Sequence, residues 1–346
     1  MSQQPAATPL NAEASTLHVM VTGYMTAQMV RAAARLRIAA HLADGPRTLT
    51  QLTEATGADP DALARFLRAL AGFGLSAEVA PDTFEATPLL AALEHDGGWL
   101  SDFALAMADP VCVRPAEHYA DTVLTGRPSA ETALGMGFWE HLDAHPDTAA
   151  HYAASLSFGT YHCARAFAAR YDLGGYRSVV DVGGGSGAML SGILQAYPHL
   201  KGVLVDRPAA LQHAREALAR HGVADRVEAA PGDFLESVPS GGDLYLLKSI
   251  FPDWDDTRVA DLLRNVHRAA TPGTTLIVID WMFTQEPDPQ NAFLHVSDFN
   301  MLVSTGGRVR TREQFTNLIE EAGFHIERVD GFNDGLTAWG MIEARA

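Results

Sequence analysis

The stretch Val179-Val180-Asp181-Val182-Gly183-Gly184-Gly185-Ser186-Gly187-Ala188 decides the reading of this 346-residue chain. Apolar β-branched residues run into a cluster of glycines, and Met189 to Ala196 continues with helical spacing. That order predicts a strand, a tight turn and a helix N-terminus. Glycine lets the backbone turn with positive φ and lets a ligand approach the main chain, while the open N–H groups of a helix start attract anionic groups. The pattern alone leaves the ligand open. Gly183-x-Gly185-x-x-Ala188 also satisfies a dinucleotide fingerprint, and a glycine cluster can be no more than a tight strand-to-helix turn.

Around this stretch the pattern alternates. Strands are predicted at 178–183, 202–206, 226–230, 243–248, 274–280, 324–330 and 336–344 with helices between most of them, which gives a mostly parallel, doubly wound α/β sheet. The short loop Gly331 to Gly335 leaves no room for a crossover helix, so the last two strands pair antiparallel. Asp181 then favours one ligand class. A carboxylate two residues before the first glycine repels a pyrophosphate and suits a ligand carrying an ammonium group, such as S-adenosylmethionine. Ligand contacts in such sheets gather at the carboxyl ends of the strands. Asp206 ends the second strand, where it can accept both ribose hydroxyls or cap a helix. Asp233 can take an adenine amino group and Phe234 cover its face; the alternative is a turn aspartate beside a core phenylalanine. Lys248 ends the fourth strand and can reach a methionine carboxylate or stand as a solvated charge.

The remaining chain sets limits. A net charge of −17 argues against nucleic acid and anionic membranes as partners, because both are bound through a positive field. Cys112 and Cys163 lie far apart without metal-ligand spacing, so buried thiols are expected rather than a disulfide or a metal site. Residues 1–16 lack the basic start and apolar run of a secretion signal, and no apolar run reaches membrane-spanning length; a cytoplasmic protein is expected. Residues 1–12 read as a disordered tail, 13–105 as a helical domain, 106–170 as helices broken at 126–128 and 135–137, and 171–346 as the ligand-binding sheet. Within the first domain, Thr48 and Asp59 start two helices and residues 76–87 form a wing. Such a winged helix can read DNA, but only Arg65 and Arg68 are cationic on the second helix, and Asp59 and Asp61 sit at its start. Its surplus of Leu, Ala and Met suits a dimer interface instead.

The motifs RFLRALAGFGL, TGRPSAETALGMGFWEHLDAHP, DVGGGSG, GVLVDRP, PGDF, LLKSIFPDW and SDFNMLVSTGGRVRTREQFTNLIEEAGF cover nearly the whole chain, and together they resemble the small-molecule O-methyltransferases related to plant caffeate-type enzymes, in their bacterial polyketide-tailoring branch. The resemblance implies a class I methyltransferase sheet behind a winged-helix dimerisation domain, a homodimer, and S-adenosylmethionine held by Gly183, Asp206, Asp233, Phe234 and Lys248; the reading of the glycine turn adds Asp181 and Gly185, and the sequence offers no metal-ligand cluster. It places Tyr152, Leu156, Asn300 and Met301 on the wall of a pocket for an aromatic or polyketide-like substrate. The departures bear on chemistry. In the plant pattern a histidine before Asp-Trp takes the proton of the acceptor hydroxyl; here Pro252 stands there, and proline cannot accept a proton. Of two flanking acidic residues one appears as Asp280 and the other is replaced by Val309. Asp280, Asp253, His162 and His295 are the candidates for any proton transfer that remains. Methylation by alignment, a cofactor-dependent step without methylation, and DNA regulation stand as the three readings.

Overall fold

Asn11 caps the first described element: its side chain accepts the Ala14 N–H, and helix α1 (Ala12–Arg35) follows. The structure is a computed structural model that describes residues 11–212, 214–283 and 292–346. The tail expected over 1–12 therefore overlaps the start of α1, and its first ten residues lie outside the described residues. Two units are recognised in the chain, Met1–Ala108 and Asp109–Ala346.

In the first unit α1 breaks at Arg37, which adopts a left-handed backbone (φ 52°), before α2 (Ile38–His41). A short strand β1 (Arg47–Thr48) leads into α3 (Leu49–Thr56), started by a Thr48–Gln51 capping box and ended by Gly57 at φ 68°. Asp59 caps α4 (Pro60–Gly72), with Pro60 at its first position as the sequence predicts. Strands β2 (Ser76–Ala80) and β3 (Thr83–Ala86) form the wing, and β1 joins it to give the antiparallel order β1-β3-β2. Then come α5 (Pro88–Ala91), a 3-10 turn and α6 (Trp99–Met107). Leu52, Leu63, Leu67, Leu70 and Phe84 fill the core. Gln28 and Arg31 in the second half of α1 donate to carbonyls of Ala108 and Leu105. The first half is different: Leu17, Met20, Val21, Tyr24 and Met25 recur at helical spacing, and the first four are 61–70% exposed. An apolar stripe at this spacing is the mark of a helix face made to be covered. Both cations of α4 are engaged, Arg65 with Asp61, and Arg68 with Glu78 and Asp82 of the wing.

The second unit opens with short helices α7 (Pro110–Ala116), α8 (Tyr119–Thr125), α9 (Ala130–Leu134) and α10 (Phe138–Ala144), then the long α11 (Pro146–Arg170). After it, β4 (Ser178–Val182), α12 (Ala188–Ala196), β5 (Lys201–Asp206), α13 (Pro208–Leu211), α14 (Ala214–Arg220), β6 (Val227–Pro231), β7 (Leu244–Lys248), α15 (Asp256–Ala269) and β8 (Thr275–Asp280) alternate. The two-residue strands β9 (Met282–Phe283) and β10 (Arg310–Thr311) pair in parallel across α16 (Ala292–Thr305), a contact the sequence did not predict. Helix α17 (Arg312–Glu321) and the antiparallel strands β11 (His325–Asn333) and β12 (Ala338–Arg345) close the chain. The sheet order is β11-β12-β8-β7-β4-β5-β6, parallel except at its β11 and β12 side. β11 runs on to Asn333, so the connecting turn is shifted from the expected 331–335 to 334–337, where Asp334 accepts the N–H groups of Leu336 and Thr337. Strand order reverses between β4 and β7, the crevice in which such sheets bind ligands. Leu246, Ile277 and Ile279 pack toward the α11 and α12 layer, and Tyr245, Leu247 and Val278 toward α15 and α17.

Candidate active site

The turn after β4 is built for contact with a ligand. Gly183, Gly185 and Gly187 have φ of 75°, 56° and 78°, values that side chains with a Cβ rarely adopt. Gly184 is required for a different reason: a Cβ there would lie 2.4 Å from Asp181 Oδ2 and 2.4 Å from Leu204 Cδ1. The turn is closed onto β5, because Gly183 N–H donates to the Val205 carbonyl at 2.8 Å and Gly185 N–H to Asp206 Oδ2 at 2.8 Å. The other Asp206 oxygen accepts the Arg207 N–H at 2.7 Å. Burial raises the Asp206 pKa, and those two N–H donors oppose the shift.

Asp181 is 1% exposed beneath this turn, and its Oδ2 has no hydrogen-bond partner. Burial and the nearby Asp206 push its pKa up to about 7, and Lys248 opposes them. The Lys248 ammonium is enclosed at the end of β7: it donates to Thr160 Oγ1 at 3.0 Å and lies 4.5 Å above the Trp339 ring. Burial lowers its pKa, with Cys163, Asp280, Asp181 and Asp334 acting the other way. The lysine is thus a desolvated cation with two protons left to donate, rather than a solvated charge. Asp233 is exposed and accepts the Leu235 N–H at 2.8 Å, so the turn-aspartate role is present. Phe234 is buried, edge-on to Trp254 at 6.0 Å, and its carbonyl is held by Asn265. An orphaned carboxylate oxygen and a turn in which side chains are sterically excluded fit a nucleoside with an ammonium group better than a phosphate chain.

At the other end of the crevice, the single 3-10 turn Phe251–Asp253 carries Pro252, which is buried. It is fixed by Arg310, a fully buried guanidinium that donates to the Phe251 carbonyl at 2.7 Å, to the Trp254 carbonyl at 2.8 Å and to Asp256 at 2.8 Å. Gly307 packs flat on the same turn, since a Cβ there would fall 1.9 Å from the Pro252 carbonyl oxygen. Val309 is buried and its N–H donates to Asp298 Oδ1 of α16 at 2.7 Å. Asp280 is fully buried; Oδ1 accepts the Trp281 N–H at 2.8 Å and Oδ2 has no partner. Burial pushes the Asp280 pKa up to about 7, and burial together with Asp280 pushes Asp253 up to about 8. Two carboxyl groups with pKa values raised toward neutral pH thus lie near the turn on which Pro252 holds the histidine position.

Tyr152 on α11 packs against Phe138 and Trp139 at ring distances of 5.5 and 6.2 Å, and burial followed by the charge of Asp253 holds its phenol well above the usual range. Leu156, one turn on, is 48% exposed. Asn300 and Met301 are half-buried on α16, which packs against the Phe251–Asp253 turn. His162 lies tilted against Phe158 at 4.5 Å and His295 stacks on Phe283 at 4.9 Å, so each ring is engaged by a phenylalanine of its neighbourhood. Sequence reasoning missed Arg310, Thr160, Gly307 and Ser249. Ser249 follows Lys248 at φ 54° with a buried, unpartnered hydroxyl. Arg310 and Gly307 lie in a motif already singled out, but only the fold shows that they grip the turn. Among the described residues no group of three or more His, Cys, Asp and Glu side chains is arranged to hold a metal, and no helix is long and apolar enough to cross a membrane.

Two family models match the chain, an O-methyltransferase dimerisation domain over residues 19–93 and an O-methyltransferase domain over residues 117–325. A mitomycin biosynthesis 6-O-methyltransferase of Streptomyces lavendulae is 35% identical over 330 residues, covering 94% of this chain and 93% of that one. An aclacinomycin 10-hydroxylase of Streptomyces purpurascens is 34% identical over 96% of this chain and 91% of its own. Among solved structures, mitomycin 7-O-methyltransferase aligns with a TM-score of 0.87 at 34% identity, covering 96% of this chain and 98% of that one. An O-methyltransferase from neocarzinostatin biosynthesis, solved with S-adenosylmethionine and 2-hydroxy-5-methyl naphthoic acid, aligns with a TM-score of 0.77 at 29% identity, over 93% and 96%. The crevice, its glycine turn and the helical unit before it thus belong to a protein of the O-methyltransferase family.

Proposed function

We propose that this chain transfers the methyl group of S-adenosylmethionine to a hydroxyl of an aromatic or polyketide-like natural product. The observation that carries this reading is the glycine turn closed onto Asp206 above the unpartnered Asp181. Bound there, the sulfonium donor supplies an electrophilic methyl group. Gly183 and Gly185 give it a turn without side chains, Asp206 offers its carboxylate to the ribose hydroxyls, Asp233 and Phe234 take the adenine, and Lys248 takes the methionine carboxylate. Asp181 offers its free oxygen toward the ammonium end. Tyr152, Leu156, Asn300 and Met301 orient a flat acceptor, and alignment of the acceptor oxygen with the methyl carbon supplies most of the rate. Asp280 is the first candidate to take the hydroxyl proton, Asp253 the second and His162 the third.

The same reading assigns residues 13–105 to a dimerisation domain, 106–170 to helices lining the acceptor pocket and 171–346 to the donor-binding domain, in a cytoplasmic homodimer. Support for the dimer is the apolar stripe of α1. The engagement of Arg65 and Arg68 by carboxylates argues against nucleic acid as a partner. Two observations favour a second reading, in which the donor is bound but the substrate is hydroxylated or rearranged: Pro252 replaces the expected base, and one relative is named a hydroxylase. Incubation with methyl-labelled S-adenosylmethionine and a panel of aromatic hydroxy acids, read by mass, separates the two. A gain of one labelled methyl group supports methylation; gain of an oxygen atom with the label retained on the donor overturns it.

A further inference from the structure

Helix α11 is tied to the glycine turn by a pair of hydroxyls. Ser157 Oγ lies 2.7 Å from the Ala153 carbonyl oxygen and 2.7 Å from Ser186 Oγ. A carbonyl cannot donate, so the one Ser157 proton goes to Ala153, and Ser186 must be the donor of the bond between the serines. Ser186 stands between Gly185, whose N–H is held by Asp206, and Gly187, where a Cβ would meet Leu218 at 2.8 Å. One turn further along α11, Thr160 accepts the Lys248 ammonium. Beyond that, Gly192 of α12 lets the two helices approach so closely that a Cβ there would lie 2.6 Å from that of Ala164.

Ser157, Thr160 and Ala164 share one stripe of α11, while Tyr152 and Leu156 lie on the adjacent stripe. We propose that Ser157 and Thr160 are positioning residues that carry donor binding at the glycine turn and at Lys248 into α11, so that the acceptor wall is set when the donor is in place. This rests on reading the crevice as a sulfonium nucleoside site. A ligand that orders Ser186 and Lys248 orders α11 through these two contacts, and the coupling is reciprocal: an acceptor held on α11 tightens the donor.

Hydrogen exchange read by mass spectrometry, with S-adenosylhomocysteine as the only ligand, tests it. In the native protein the ligand slows exchange over both 178–196 and 150–164. In S157A/T160V the first protection remains and the second falls by about fivefold or more, whereas S157T and T160S, which keep the hydroxyls, retain both. Equal protection of α11 in S157A/T160V, or an α11 indifferent to ligand while the turn is protected in the native protein, overturns the proposal. Absence of protection over 178–196 in the native protein overturns the donor reading itself, and this inference with it.

Discussion

Arg310 holds the Phe251–Asp253 turn and Asp280 keeps one buried carboxylate oxygen without a partner; in the proposed reading both lie at the acceptor end of the crevice. Arg310→Lys keeps the charge but loses the fork that reaches the carbonyls of Phe251, Arg308 and Trp254 and the Asp256 carboxylate. Breaking such a buried arrangement costs about 3 kcal/mol, and the melting temperature is expected to fall by roughly 6–12 °C, measured by scanning calorimetry, with turnover falling as the turn loosens. Asp280 makes two pH-dependent predictions. Its folded pKa is raised above the unfolded value, so its contribution to stability is present below about pH 4 and is lost as pH rises toward about 7. Asp280→Asn should flatten that fall in melting temperature. As proton acceptor it should also impose a rise in kcat/KM through pH near 7, which Asp280→Asn removes along with about 100-fold of activity; an unchanged profile would discard the assignment. The sequence offered Asp280 by its place in a motif, whereas its burial and its unpartnered oxygen come from the closing of β8, β9 and the Phe251–Asp253 turn around it.

At the scale of elements, the β4 to α12 turn was legible because its glycines satisfy local conformational demands that precede any tertiary contact. Gly184→Ala tests the tertiary part, since its added methyl meets Asp181 and Leu204 at once. We expect a loss of about 1–3 kcal/mol in stability and at least about tenfold in S-adenosylhomocysteine affinity by calorimetry; native affinity would show that the turn yields elsewhere. The seven sheet strands were legible within three residues at their ends; in β4, β5, β7 and β8 buried apolar runs between turn residues carry that signal, whereas β6 and β11 are mostly exposed edge strands. The β9 and β10 pair was not. Two residues have no period, and their pairing depends on α16 bringing GGRVRT back beside Met282.

On the scale of the molecule, the exposed stripe of α1 calls for a partner surface of the same kind. Replacing both Met20 and Tyr24 by Glu removes about 3 kcal/mol of apolar burial if a second copy covers them. The dimer dissociation constant should then rise by about 100-fold or more, read by light scattering across a concentration series; an unchanged molar mass would move the interface elsewhere. The charge of −17 shapes solubility and encounter with partners, and leaves the fold to the apolar pattern.

By itself the sequence determined the alternating α/β order, the helical unit before it, the glycine turn, and the carboxylates Asp206 and Asp280 at strand ends, all of which follow from periodicity and from residue types that act locally. Only the tertiary structure decided which polar groups would be left without partners, that Lys248 would be desolvated over Trp339, and that Arg310 and Gly307 would clamp the turn bearing Pro252. Burial and distance between segments far apart in the chain set those properties, and no local pattern encodes them.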